Sequence, residues 1–92
     1  MMSSREQQIT QCLQAELRPS YLNVDDQSHL HVGHAGARDG RGHFHVTIIS
    51  ADFEGKNRLA RHRMVYAALG ELMQTDIHAL GIDAYTDDEF SE

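Results

Sequence analysis

The chain has 92 residues, 40% of them hydrophobic and 24% charged, which suits one compact domain with a modest core and excludes a disordered tail. The net charge of −6 argues against a surface coated with basic residues for nucleic acid, and the single cysteine, Cys12, excludes an internal disulfide framework or a multi-cysteine metal cage. No apolar run reaches the ~18–20 residues of a membrane helix and no hydrophobic signal segment follows Met1, so a cytoplasmic protein without membrane contact is expected.

A hydroxyl three residues before a carboxylate, Ser3 and Glu6, predicts a helix start. Ile9, Leu13 and Leu17 then recur every four residues as a narrow apolar stripe, with Cys12 packing beside them, and Pro19 closes the helix near Arg18. Tyr21 to Asp25 alternates around Leu22 and Val24 and predicts a short strand. Residues 26–42 hold four glycines and no apolar periodicity, which predicts a long mobile loop. His43 to Ser50 is the clearest strand, with Phe44, Val46 and Ile48 pointing one way and His45, Thr47 and Ile49 the other.

Asp52 to Gly55 predicts a turn, and Asn57 the N-cap of the longest helix, running to about Met73. Leu59, His62, Tyr66, Leu69 and Met73 would form its apolar face, with Val65 and Leu72 flanking, while Arg58 and Arg61 would be solvated. Ile77 to Tyr85 reads as the last strand, with Leu80, Ile82 and Ala84 on one face, and the acidic end as a single helical turn. The order αββαβ gives an antiparallel first strand pair and a parallel second pair across a right-handed crossover. The expected fold is α+β, a three-stranded mixed sheet with both helices on one face. Residues 1–92 form a single domain in this reading, with 1–3 and 91–92 frayed.

Nothing in the sequence favours catalysis: it has no phosphate-binding glycine motif, no nucleophile elbow and no metal-binding histidine pair at helical spacing. Seven histidines are nevertheless many for this length, and protonating all of them would just reverse the sign of the net charge. His62 falls on the apolar helix face and reads as a packed or interfacial side chain, and His45 faces outward. His31 and His34 lie on the glycine-rich loop, where a side chain can be displayed to a partner or metal, and His78 stands at the entrance of the last strand, where an imidazole can stay exposed; spacing alone reads each as an ordinary surface histidine ahead of a ligand. Two such nitrogens leave a metal site incomplete. Lys56, Arg58, Arg61 and Arg63 gather four of the eight basic residues at a helix N-terminus. Such a cluster suits phosphate groups, or it is a solvated face pairing with Asp52 and Glu54.

The stretch from His43 to Gly55, followed by Arg61-His62-Arg63-Met64-Val65-Tyr66 and Ile77-His78-Ala79-Leu80, closely resembles the BolA family over residues 4–90. The resemblance implies a fold similar to class II KH domains. It also implies a monothiol glutaredoxin as heterodimer partner, with a bridging 2Fe-2S cluster shared between the chains and glutathione, and no cluster in the isolated chain. His78 would be one ligand, and the second would come from the loop, where His31 aligns best and His34 lies near. The family also includes transcriptional regulators tied to stress response, cell morphology and biofilm formation, which would place duplex DNA against Lys56, Arg58, Arg61 and Arg63. Gly55-Lys56-Asn57-Arg58 departs from the Gly-x-x-Gly loop of true KH domains, which weakens single-strand binding of that kind. The chain is thus expected to be a regulator or adaptor rather than an enzyme, its free form a monomer or weak homodimer.

Overall fold

The structure, a computed structural model, describes residues 4–27 and 42–90. Helix α1 (Arg5–Leu17) starts one residue later than the sequence predicts. Ser4 is the N-cap, its hydroxyl accepting from the Gln7 N–H while the Gln7 side chain accepts from the Ser4 N–H. Ile9, Leu13 and Leu17 are buried as expected, with Cys12 half-buried beside them. Arg18 closes the helix in the left-handed region at φ 44°, donating to the Gln14 carbonyl. A residue preceding proline is driven from the helical region, and here it leaves the helix through that less common door.

Strand β1 (Tyr21–Asp26) pairs antiparallel with β2 (Gly42–Ile49), and β2 pairs parallel with β3 (Ile77–Tyr85), so β2 is central in a three-stranded mixed sheet. The fold is the α+β arrangement expected from the sequence. Phe44, Val46, Ile48 and Ile82 meet the α1 stripe in one core with Phe53. Asp26 and Gly42 belong to the strands, which trims the expected loop at both ends; its residues 28–41, with His31 and His34, and the ends expected to fray lie outside the described residues.

Helix α2 (Arg58–Leu69) is capped by the Asn57 side chain, which accepts from the Ala60 N–H. It ends four residues earlier than expected. Gly70 takes φ 55°, a conformation open to glycine, and a separate short helix α3 (Leu72–Thr75) follows. The inward face of α2 also differs from the expected stripe. Val65 and Leu69 are buried, with Met64 and Ala68 partly so, whereas Leu59 and Tyr66 are exposed. The helix is turned by about one residue because Arg61, and not Leu59, begins the stripe that faces the sheet.

After β3, Thr86 caps the short helix α4 (Asp87–Phe90). Its Phe90 ring lies against Tyr21, with ring centres 6.2 Å apart, and against Tyr85, at 5.4 Å. Tyr21 and Tyr85 flank Ile49 in the strand register, which explains why Ile49 is buried on the face of the sheet away from the long helices.

Candidate functional site

Residues with chemistry gather at the two ends of β3. At its start the ladder is irregular: Gly42 pairs with Ile77, yet His43 pairs with Ala79. His78 is therefore the extra residue of a β-bulge. Bulges of this kind re-aim a side chain and recur beside functional sites. The insertion lets Ile77 and Leu80 both turn toward the core despite their odd spacing, and it leaves His78 exposed. The His78 ring meets the half-buried His43 ring, centres 5.1 Å apart and planes tilted by 45°.

Two residues along β2, His45 lies over Gly81, and its Nε2 is 2.8 Å from the Asp83 carboxylate. A Cβ at position 81 would lie 2.7 Å from His45 Nδ1, so this close approach requires glycine. His45 faces away from the helices, as the alternation predicts.

The other end of β3 belongs to Arg61. Only 12% of its side chain is exposed, which corrects the expectation of a solvated arginine. Its guanidinium donates to the backbone carbonyls of Lys56, at 2.8 Å, and Ala84, at 3.1 Å, and pairs with both Glu89 oxygens. The cation also lies 5.9 Å from the centre of the Phe53 ring. Glu89 in turn accepts from the Thr86 N–H, closing a capping box on α4. The Arg61 guanidinium first, and that N–H second, hold the Glu89 carboxyl down at about 2; the same hydrogen bond raises Arg61.

Lys56, Arg58 and Arg63 are exposed around the start of α2, and His62 is half-buried. Lys56, Arg58, Arg61 and His62 border an open groove of about 570 Å³ whose far wall is β3 and Glu89. The four clustered bases are thus one internal cation and three outward ones. Neither Asp52 nor Glu54 is Arg61's hydrogen-bonding partner; a carboxylate 28 residues away takes that place.

Two participants escaped sequence reasoning. His43 shares its strand face with His45, but its meeting with His78 depends on a bulge that no residue pattern marks. Glu89 carried a readable signal, since Thr86 and Glu89 have capping-box spacing, yet its pairing with Arg61 is tertiary.

A family model described as BolA-like protein matches residues 13–89 of this chain. The chain belongs to the BolA family. Chloroplastic BOLA1 of Arabidopsis thaliana is 42% identical over 91 residues, which are 96% of this chain but 57% of that protein, so this chain spans little more than half of the plant relative's length. The DNA-binding transcriptional regulator BolA of Haemophilus influenzae is 36% identical over 87 residues, 95% of this chain and 82% of the relative. Among solved structures, BolA1 from Arabidopsis thaliana superposes with a TM-score of 0.82 at 40% identity, covering 97% of this chain and 98% of the other. Among the described residues, no helix of this BolA chain is long and apolar enough to cross a membrane.

Proposed function

We propose that this BolA chain is a cytoplasmic adaptor that pairs with a monothiol glutaredoxin and shares a bridging 2Fe-2S cluster with it and glutathione. One observation carries the reading: the bulge in β3 places His78 outside the ladder and exposed, where a second chain can reach its imidazole. The donor set fits a shared cluster and not a resident one. Cys12, the one cysteine, packs against the core, and among the described residues no three metal-binding side chains converge. Thiolates therefore come from the partner and glutathione, and this chain supplies nitrogen from His78 and from the loop, through His31 or His34. Replacing a thiolate by imidazole raises the potential of a two-iron centre.

The test is a titration of the chain with cluster-loaded monothiol glutaredoxin, followed by visible absorption and circular dichroism. Wild type forms a mixed species with its own dichroic bands. His78→Ala loses or alters them while retaining its fold, and His31→Ala has a smaller effect because His34 is near. A His78→Ala complex with wild-type absorption, dichroism and potential rules the reading out.

A second reading, duplex DNA binding, is supported by the exposed Lys56, Arg58 and Arg63 and by the name of the Haemophilus relative. Phosphate contacts of this kind weaken binding to all sequences alike when removed, and lower the salt slope by about one unit per contact. Arg61, held by Glu89, is a supporting residue rather than a phosphate contact in this reading. Arg58→Ala with Lys56→Ala therefore reduces both affinity and salt slope; unchanged binding in that variant eliminates the site.

A further inference from the structure

We propose that the free edge of β3, beside the start of α2, accepts an extended acidic peptide of a partner protein as an added strand. The proposal goes beyond both readings above, since it needs neither the imidazole of His78 nor a nucleic acid.

The strand order β1-β2-β3 leaves one side of β3 without a neighbouring strand. Successive residues of a strand turn their N–H and C=O groups to alternate sides, and two hydrogen bonds fix which side each takes here. The Tyr85 carbonyl accepts from the Ser50 N–H on the β2 side, at 3.0 Å. The Ala84 carbonyl accepts from Arg61 on the other side, at 3.1 Å. The register is regular from Ala79 to Tyr85, so Leu80 and Ile82 turn their backbone groups outward as Ala84 does. Arg61 shows that a donor reaches this edge, and it marks where an added strand would end. Proteins blunt such edges with lysine, proline or bulges; β3 has neither residue, and its bulge lies at its start.

The groove of about 570 Å³ runs between this edge, at Ile82 to Tyr85, and Lys56 and Arg58 of the opposite wall. Strand addition takes its affinity from main-chain hydrogen bonds and its specificity from alternate side chains. Charge selects the occupant. Glu89 is paired with Arg61 and Asp83 with His45, whereas Lys56 and Arg58 are exposed. Every second side chain of an added strand faces α2, so carboxylates at those positions meet the two bases. A nucleic-acid strand suits the edge less well, because β3 alternates donors with acceptors and a phosphodiester backbone returns acceptors alone.

The probe is a synthetic peptide of about eight residues, alternating glutamate and valine and blocked at both ends. It is added to the full chain, and binding is followed by amide resonances and amide hydrogen exchange. One peptide per chain is expected. Exchange at the outward N–H groups of Leu80 and Ile82 slows about tenfold or more, while Gly81 and Asp83, already in the ladder, change little. N-methylating alternate peptide amides keeps every side chain, and one of the two sets, on the glutamates or on the valines, abolishes binding. The double variant Lys56→Glu/Arg58→Glu, its fold checked by circular dichroism, binds the peptide about tenfold more weakly and prefers a lysine–valine peptide instead. The proposal is overturned if the glutamate peptide does not bind, if binding survives both N-methylated sets, or if wild type takes the lysine peptide equally well. It is also overturned if the same amides become protected with rising protein concentration alone, which would mean pairing with a second copy, or by single-stranded DNA where the peptide fails. Peptide binding of the expected kind by a chain that binds no duplex DNA leaves this proposal standing and removes the DNA reading alone.

Discussion

The two ends of β3 differ in how their polar groups are engaged. Ala84 lies six positions along β3 from His78, roughly 20 Å of strand. At the far end Arg61 has backbone carbonyls, a bidentate carboxylate and the Phe53 ring around it. That end is stabilised from within, and its groove is bordered by charges already partly neutralised by the chain itself. At the near end a bulge sets an exposed imidazole against a half-buried one. A tally of four bases and a tally of histidines look equally functional in the sequence. The structure separates them, because one cluster's central charge is tied into the scaffold and the other's imidazole is displayed.

The comparison breaks first, and most visibly, at Phe53. This ring is fully buried beneath Arg61 and joins the core to the arginine end. Phe53→Ala is expected to lower stability by about 3–5 kcal/mol, measured by denaturant unfolding. His78→Ala leaves the midpoint in place. Equal losses in the two variants would mean that the histidine end is as structural as the other.

Next in size is the contrast within the basic cluster. Arg61→Ala removes the partner of Glu89 and the donor to two carbonyls, so it frees α4 and lowers Tm by several degrees. Arg58→Ala, an exposed change, leaves Tm nearly unmoved. Scanning calorimetry of both variants, each with and without Glu89→Ala, sharpens the point: Arg61 and Glu89 couple, and Arg58 and Glu89 do not.

How much of this was legible follows the physics of each element. The α1 stripe of Ile9, Leu13 and Leu17, the alternation of Phe44, Val46 and Ile48, and the full extent of β3 all follow from local periodicity, and the structure shows them as read. The face of α2 did not. Leu59 and Tyr66 satisfy the helical period as well as Val65 does, and the choice was made by Arg61 reaching Ala84 and Glu89, contacts that span 23 and 28 residues. Gly70 shortened the helix through its positive φ, which an apolar stripe running on into Leu72 and Met73 concealed. At the site, His78 was visible through its motif, whereas His43 was not, because a one-residue bulge is invisible to a two-residue period.

A gentler probe of the arginine end is pH. The Glu89 carboxyl is lowered from 4.5 to about 2 in the folded chain. The unfolded chain therefore binds the proton more readily in this window, and stability rises with pH across it. The contribution of the pair is fully present above about 4.5 and is lost as the pH falls through about 2. Glu89→Gln should flatten this part of the stability profile. A wild-type profile with the same acid limb as the variant would show that the ion pair adds nothing in solution.

The smallest expected effect lies midway along β3 and tests whether the two ends are independent. Gly81 lies beneath His45, and the added methyl of Gly81→Ala would sit 2.7 Å from Nδ1 and 3.3 Å from Cε1 of that ring. Atoms cannot remain so close, but the obstacle is a partly exposed side chain and not backbone, so the ring swings aside and lengthens its 2.8 Å contact with Asp83. The loss should be about 1 kcal/mol, near the low end for overpacking. Histidine side-chain resonances should show His45 released, while the His43 and His78 resonances and the Arg61–Glu89 coupling stay as they are. A shift at either end as large as the one at His45 would show that the strand transmits strain along its length, and the division into a displayed end and a structural end would have to be given up.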